Sequence, residues 1–95
     1  MRIVVYSKPD CVQCFHTKRI LTDELGLIFT DIDVTKDRAA EKDARKMGEV
    51  LGRTLPIVVV SYANGQGQQS WAGLKVDMLR ALVPPAELNA GAPDG

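Results

Sequence analysis

Apolar and polar positions in this chain follow two rhythms, short apolar runs with the period of a strand and longer stretches with the period of a helix. Arg2-Ile3-Val4-Val5-Tyr6 is a β-rich run ended by Pro9 and Asp10, which predicts a buried strand followed by a turn. Beyond the turn, Ile20, Leu21 and Leu25 extend a helical spacing that begins near Cys14 and Thr17, and Gly26 supplies a stop. Residues 27–34, from Leu27 to Val34, predict a second strand that alternates in its latter half. Thr35 or Asp37 can then cap a charged helix running to about Met47 or Leu51. Strand, helix and strand make a βαβ unit with a parallel pair.

Ile57 to Val60 is a continuous apolar run of the kind found in central strands. Asn64-Gly65 signals a tight hairpin into a shorter strand around Gln69 to Trp71, so the third and fourth strands are expected to be antiparallel neighbours. Val76, Leu79, Leu82 and Val83 share one helical face until Pro84-Pro85 stops the helix. The order β-α-β-α-β-β-α predicts an α/β fold, a four-stranded mixed sheet flanked by three helices, with a right-handed first crossover. The connection from Met47 to Thr54 either extends the second helix or forms a loop. Residues 1–83 are read as one domain and residues 84–95, polar and small, as a disordered tail.

Composition narrows the field. A chain of 95 residues with 45% hydrophobic and 25% charged residues suits one soluble domain with one core. Lysine plus arginine equal aspartate plus glutamate at 12 each, which implies neither nucleic acid nor a membrane surface as partner. The chain shows no apolar run near the roughly 18 residues of a bilayer span, and its N-terminus lacks a signal-peptide layout. A cytoplasmic monomer is expected.

The chemistry concentrates in Ser7-Lys8-Pro9-Asp10-Cys11-Val12-Gln13-Cys14, which contains both cysteines of the chain. In a reducing compartment such a pair reads as redox-active or metal-binding, not as a lasting structural disulfide. A closed zinc site needs four ligands, and beyond the pair the chain offers one histidine, His16, and no third cysteine. His16 is read as an exposed helix residue. The pair sits between a strand and a helix, where free amide hydrogens and the positive end of the helix dipole favour a thiolate. Cys11, at or beside the N-cap, gains most, and in comparable motifs the thiol pKa falls to ~7 from ~8.5. Cys14, three residues on, shares its helical face and can reach the Cys11 sulfur after Cys11 has attacked a disulfide. Lys8 either adds positive potential near that thiolate or is simply solvated.

The run Val4-Val5-Tyr6-Ser7-Lys8-Pro9-x-Cys11-Val12-Gln13-Cys14-x-x-Thr17-Lys18 resembles the opening of the glutaredoxin-like NrdH redoxins. The likeness continues through Asp31-Ile32-Asp33-Val34 and Leu55-Pro56-Ile57-Val58-Val59-Val60 to Trp71-Ala72-Gly73-Leu74, so it covers most of the chain to about Leu82. It implies the thioredoxin fold and a dithiol–disulfide oxidoreductase with Cys11 and Cys14 as catalytic residues. It further implies a cis bond before Pro56, a backbone at Leu55 that pairs with an extended client, and Thr17 as a buried threonine beneath the second cysteine. Lys8, Val12, Gln13, Leu55, Pro56, Trp71, Gly73, Leu74 and Lys75 are the residues expected to bind substrate or partner. Trp71 serves equally well as a large aromatic capping a small core.

The partners that the resemblance implies are thioredoxin reductase as reductant and the large subunit of class Ib ribonucleotide reductase as client. No bound cofactor or metal is implied; reducing equivalents come from NADPH through the reductase. Glutathione-using relatives carry a Gly-Gly-x-Asp-Asp segment where this chain has Ala72-Gly73-Leu74-Lys75-Val76-Asp77, without the paired glycine and with one acidic residue. The redoxins carry Trp-Ser-Gly-Phe-Arg-Pro there, so Leu74, Lys75 and Val76 are departures, and a lysine cannot reproduce a forked arginine contact. A glutathione-dependent glutaredoxin and a non-catalytic redox-sensing interaction domain are the alternative readings.

Overall fold

In β1 (Arg2–Ser7) every second side chain is buried, at Ile3, Val5 and Ser7, as the period of a strand requires when one face meets the core. The computed structural model describes residues 1–63 and 67–83. Within them β1 is followed by α1 (Val12–Arg19), β2 (Thr30–Asp33), α2 (Arg38–Leu51), β3 (Ile57–Ser61), β4 (Gln68–Ala72) and α3 (Val76–Arg80). The strands form one sheet in the order β2-β1-β3-β4. β1 runs parallel to β2, with Val5 opposite Asp31, and antiparallel to β3, which is antiparallel to β4. This is the four-stranded mixed sheet with three helices that the apolar rhythm predicts. The Asn64-Gly65 turn, the Pro84-Pro85 stop and the tail lie outside the described residues.

Helices cover both faces of the sheet. On one face Ile3, Val5, Val58, Val60 and Trp71 pack with Leu21, Leu25 and Leu79 from the helical side. On the other, Ile57 and Ala72 meet α2 through Ala44. The buried positions of α2 are Ala40, Ala44 and Gly48, four residues apart, so a stripe of small side chains faces the sheet. Asp37, and not Thr35, caps this helix, its Oδ1 accepting the Ala40 amide at 3.0 Å. Thr35 instead closes the turn after β2, donating its hydroxyl and its amide to Asp33 Oδ1. These two hydrogen bonds, the hydroxyl's first, hold the Asp33 carboxyl below its ordinary pKa. The connection after Met47 is resolved as helix as far as Leu51, with Gly52 (φ 130°) ending it.

The second strand is shorter than the apolar run suggests. α1 continues through one π-helical turn, Ile20–Glu24, and the chain closes it with the Leu25 amide on the Ile20 carbonyl and the Leu27 amide on the Leu21 carbonyl. Gly26 supplies the left-handed residue of that closure, at φ 63°. Leu27 is therefore spent on the helix end, Ile28 points to solvent at 92% exposure, and pairing starts only at Thr30. α3 is likewise brief: after Arg80 the chain tightens, with Leu82 and Val83 donating to the carbonyls of Leu79 and Arg80, while both side chains still pack on the core. A two-pronged pair from Arg80 to Glu24 fastens α3 to the π-helical turn.

Leu21, fully buried at the junction of α1 and the π-helical turn, is expected to cost about 2–5 kcal/mol when cut to alanine. Ile28→Ser should stay within about 0.5 kcal/mol of the parent. Urea unfolding of both variants checks the contrast.

Candidate active site

The turn after β1 ends at Asp10, a non-glycine residue in the left-handed region at φ 59°, a conformation that aspartate tolerates better than most side chains. That turn delivers Cys11 to the N-cap of α1 in an extended conformation. Its sulfur does what a capping oxygen ordinarily does, accepting the Cys14 amide hydrogen at 3.2 Å. Cys11 and Cys14 are joined as a disulfide with Cα atoms 5.2 Å apart. The two differ in access: Cys11 is partly exposed, whereas Cys14 is 1% exposed.

Two further segments meet this helix start. The Leu55–Pro56 peptide bond is cis, and the Leu55 carbonyl oxygen lies 3.8 Å from Cys11 Sγ, close enough to accept a weak hydrogen bond from the thiol of the reduced form. The Pro56 carbonyl accepts the Gly73 amide at 2.7 Å. Gln13 completes the junction, its side-chain oxygen accepting the Leu74 amide at 3.0 Å. A Cβ at position 73, where φ is 83°, would stand 3.2 Å from Thr54 Cγ2 and 3.4 Å from Gln13 Oε1. Only glycine meets both demands without strain.

Cys11, Val12, Gln13, Leu55, Pro56, Gly73 and Leu74 are thus brought to one place. Val12 is 70% exposed beside the pair. Lys8 borders a depression of about 520 Å³ that it shares with Cys11, Cys14, Phe15 and Lys18. Lys75 is exposed at the N-cap of α3 and makes no side-chain capping bond. Trp71, at 4% exposure, belongs to the core cluster that also holds Leu21 and Leu79. His16 is exposed and stacks edge-on against Phe15. Among the described residues there is no group of three or more histidine, cysteine, aspartate or glutamate side chains placed to hold a metal.

Sequence reasoning missed Thr54, whose methyl group walls the junction at Gly73. It also missed a groove of about 470 Å³ on the far side of Leu55, floored by Val34, Ala44 and Ile57 and rimmed by Arg45 and Arg53. Its lining comes from separate parts of the chain, so no local motif announces it. The chemistry open to the site is thiol–disulfide exchange: a sulfur at a helix N-terminus, a second sulfur behind it, and the Leu55 backbone carbonyl alongside.

The fold and this site define a thioredoxin-fold protein with a Cys-x-x-Cys centre. A family model described as Glutaredoxin matches residues 3–65. The glutaredoxin-like protein NrdH of Escherichia coli K12 is 37% identical over 84 residues, 88% of this chain and 91% of the relative. That of Salmonella typhimurium is 34% identical over 91 residues, 95% of this chain and all of the relative. The solved structure of Escherichia coli NrdH-redoxin superposes with a TM-score of 0.71 at 36% identity, covering 88% of this chain and 97% of that one. The chain belongs to the glutaredoxin family, as a redoxin of the glutaredoxin-like NrdH type.

Gly73→Ala is expected to lower stability by about 1 kcal/mol or more, because it adds strain at positive φ to the crowding of Gln13 and Thr54. Denaturant midpoints measure this, and an unchanged midpoint would contradict the account of the junction.

Proposed function

We propose that the protein is a cytoplasmic dithiol–disulfide oxidoreductase that reduces protein disulfides, with Cys11 as nucleophile and Cys14 as resolving thiol. The observation that carries this reading is the asymmetry of the pair, Cys11 partly open at the helix N-cap and Cys14 sealed behind it. The Cys11 thiolate attacks one sulfur of the client disulfide, and the other client sulfur leaves with the electron pair. Cys14 then attacks Cys11, closing the internal disulfide and releasing the second client sulfur. An extended client segment paired to the backbone at Leu55 would bring its cysteine beside Cys11. Val12, Gln13, Pro56, Gly73 and Leu74 would form the surrounding contact surface, with Lys8 and Lys75 as flanking charges and Trp71 as support from below.

The likeness to NrdH redoxins implies the large subunit of class Ib ribonucleotide reductase as the client, and thioredoxin reductase with NADPH as the source of electrons. The description of the Escherichia coli NrdH-redoxin as glutaredoxin-like with a thioredoxin-like activity profile points the same way. So does the segment Ala72 to Asp77, which lacks the paired glycine and acidic pair that a glutathione site would use. The single domain of residues 1–83 would act as a monomer, with no bound cofactor.

In a coupled assay with a protein disulfide, NADPH oxidation is expected with thioredoxin reductase and not with glutathione plus glutathione reductase. Turnover with glutathione alone would reject the reading. Cys11→Ser should abolish turnover, and Cys14→Ser should accumulate a mixed disulfide with the client, visible by intact-protein mass spectrometry.

A further inference from the structure

Thr17 is a sealed hydroxyl that the exchange chemistry has so far left unused. It lies on α1 three residues beyond Cys14, and the two residues are 0% and 1% exposed. Helix positions three apart share a face, with Cβ atoms about 5–6 Å apart. In this disulfide-bonded state Thr17 Oγ1 has no hydrogen-bond partner among the described residues. Buried hydroxyls are nearly always paired, and one left alone is destabilising. A disulfide sulfur is a weak acceptor, whereas a charged acceptor forms a short, strong bond.

We propose that Thr17 is a positioning residue for the resolving step: its hydroxyl donates to Cys14 Sγ when that sulfur is a thiolate, and loses this partner when the disulfide closes. The inference rests on the redoxin reading and assigns a role to a side chain that never touches the client. In the resolving step Cys14 first gives up its proton to solvent. Its thiolate then attacks Cys11 Sγ, the Cys14–Cys11 bond forms, the Cys11–client bond breaks, and the client sulfur leaves as a thiolate with the electron pair. A hydrogen bond to the thiolate lowers the proton affinity of Cys14 and raises the fraction ready to attack.

The benefit to rate is smaller than the benefit to ionisation, because a stabilised thiolate is a weaker nucleophile. With a Brønsted slope of about 0.4–0.5, a tenfold gain in thiolate leaves roughly a threefold gain in rate at neutral pH. Other charges stand near Cys14. Lys8 and Asp10 in the preceding loop and Lys18 on α1 border the same depression. Asp31 on β2 accepts from Lys18 at 2.9 Å and from the buried Ser7 hydroxyl at 2.6 Å. All of these remain when Thr17 alone is changed, so a difference between Thr17 variants reports the hydroxyl.

The test is to titrate Cys14 by ultraviolet thiolate absorbance in a Cys11→Ser background. Thr17→Val, of nearly equal shape, should move the titration up by about one pH unit, a tenfold change in proton affinity. Thr17→Ser should bring it back. Identical titrations with threonine and valine, in proteins shown folded by circular dichroism, would overturn the proposal. If the valine variant does not fold, the Thr17 carbon-13 Cβ resonance of the Cys11→Ser protein decides. A response at the Cys14 midpoint supports the bond, and a flat response refutes it. No client or reductase enters this titration, so its outcome is independent of the turnover assay on which the redoxin reading stands or falls.

Discussion

An α-helix that begins at Val12 leaves its first amide hydrogens without carbonyl partners, and here the sulfur of Cys11 meets one of them, that of Cys14. The rest of the site follows from that capping contact. β1 must end where it does, and Asp10 must turn through a left-handed conformation, for Cys11 to arrive at the cap. The same helix geometry puts Cys14 three residues on and turns it inward, so one sulfur faces the approach and the other faces the core. The local field favours negative charge at the cap, which is the charge a nucleophilic sulfur carries.

A helix start alone offers reactivity without selectivity. Selectivity needs surfaces from elsewhere in the chain, and the sheet supplies them by ordering β3 and β4 beside β1. The segment before β3 sets the Leu55 carbonyl against Cys11, and the segment after β4 sets Gly73 and Leu74 against Gln13. Gly73 is the tightest point, since its amide binds the Pro56 carbonyl while its missing side chain makes room for Thr54 and Gln13. The middle residues of the Cys-Val-Gln-Cys motif therefore divide their work. Val12 is open to a partner, and Gln13 ties the motif to the third segment.

Much of this could be read from the chain itself. The periods of the apolar runs were enough for the sheet, because β1 and β3 are buried strands with few polar interruptions. Cys11 and Cys14 were legible because their spacing and their place after a strand carry chemical meaning together. Local pattern failed at Leu27 to Phe29, where an apolar run reads as strand but its first amide closes a helix. At Trp71 it leaves two readings open, contact surface or core, and the packing of that sheet face places the ring in the core. The Gln13–Leu74 bond spans 61 positions, and Thr54 acts through a methyl group against a glycine. Neither leaves a signal in sequence, since both depend on how β3 and β4 are placed against β1.

The central claim is that the helix cap activates one sulfur and the fold hides the other. Alkylation of the reduced protein by iodoacetamide across pH, with each cysteine followed by peptide mass spectrometry, tests it directly. The account predicts that Cys11 is modified near neutral pH, well below the titration of an ordinary thiol, while Cys14 stays protected until the protein unfolds. Equal modification of the two cysteines in the folded protein, or faster modification of Cys14, would contradict it.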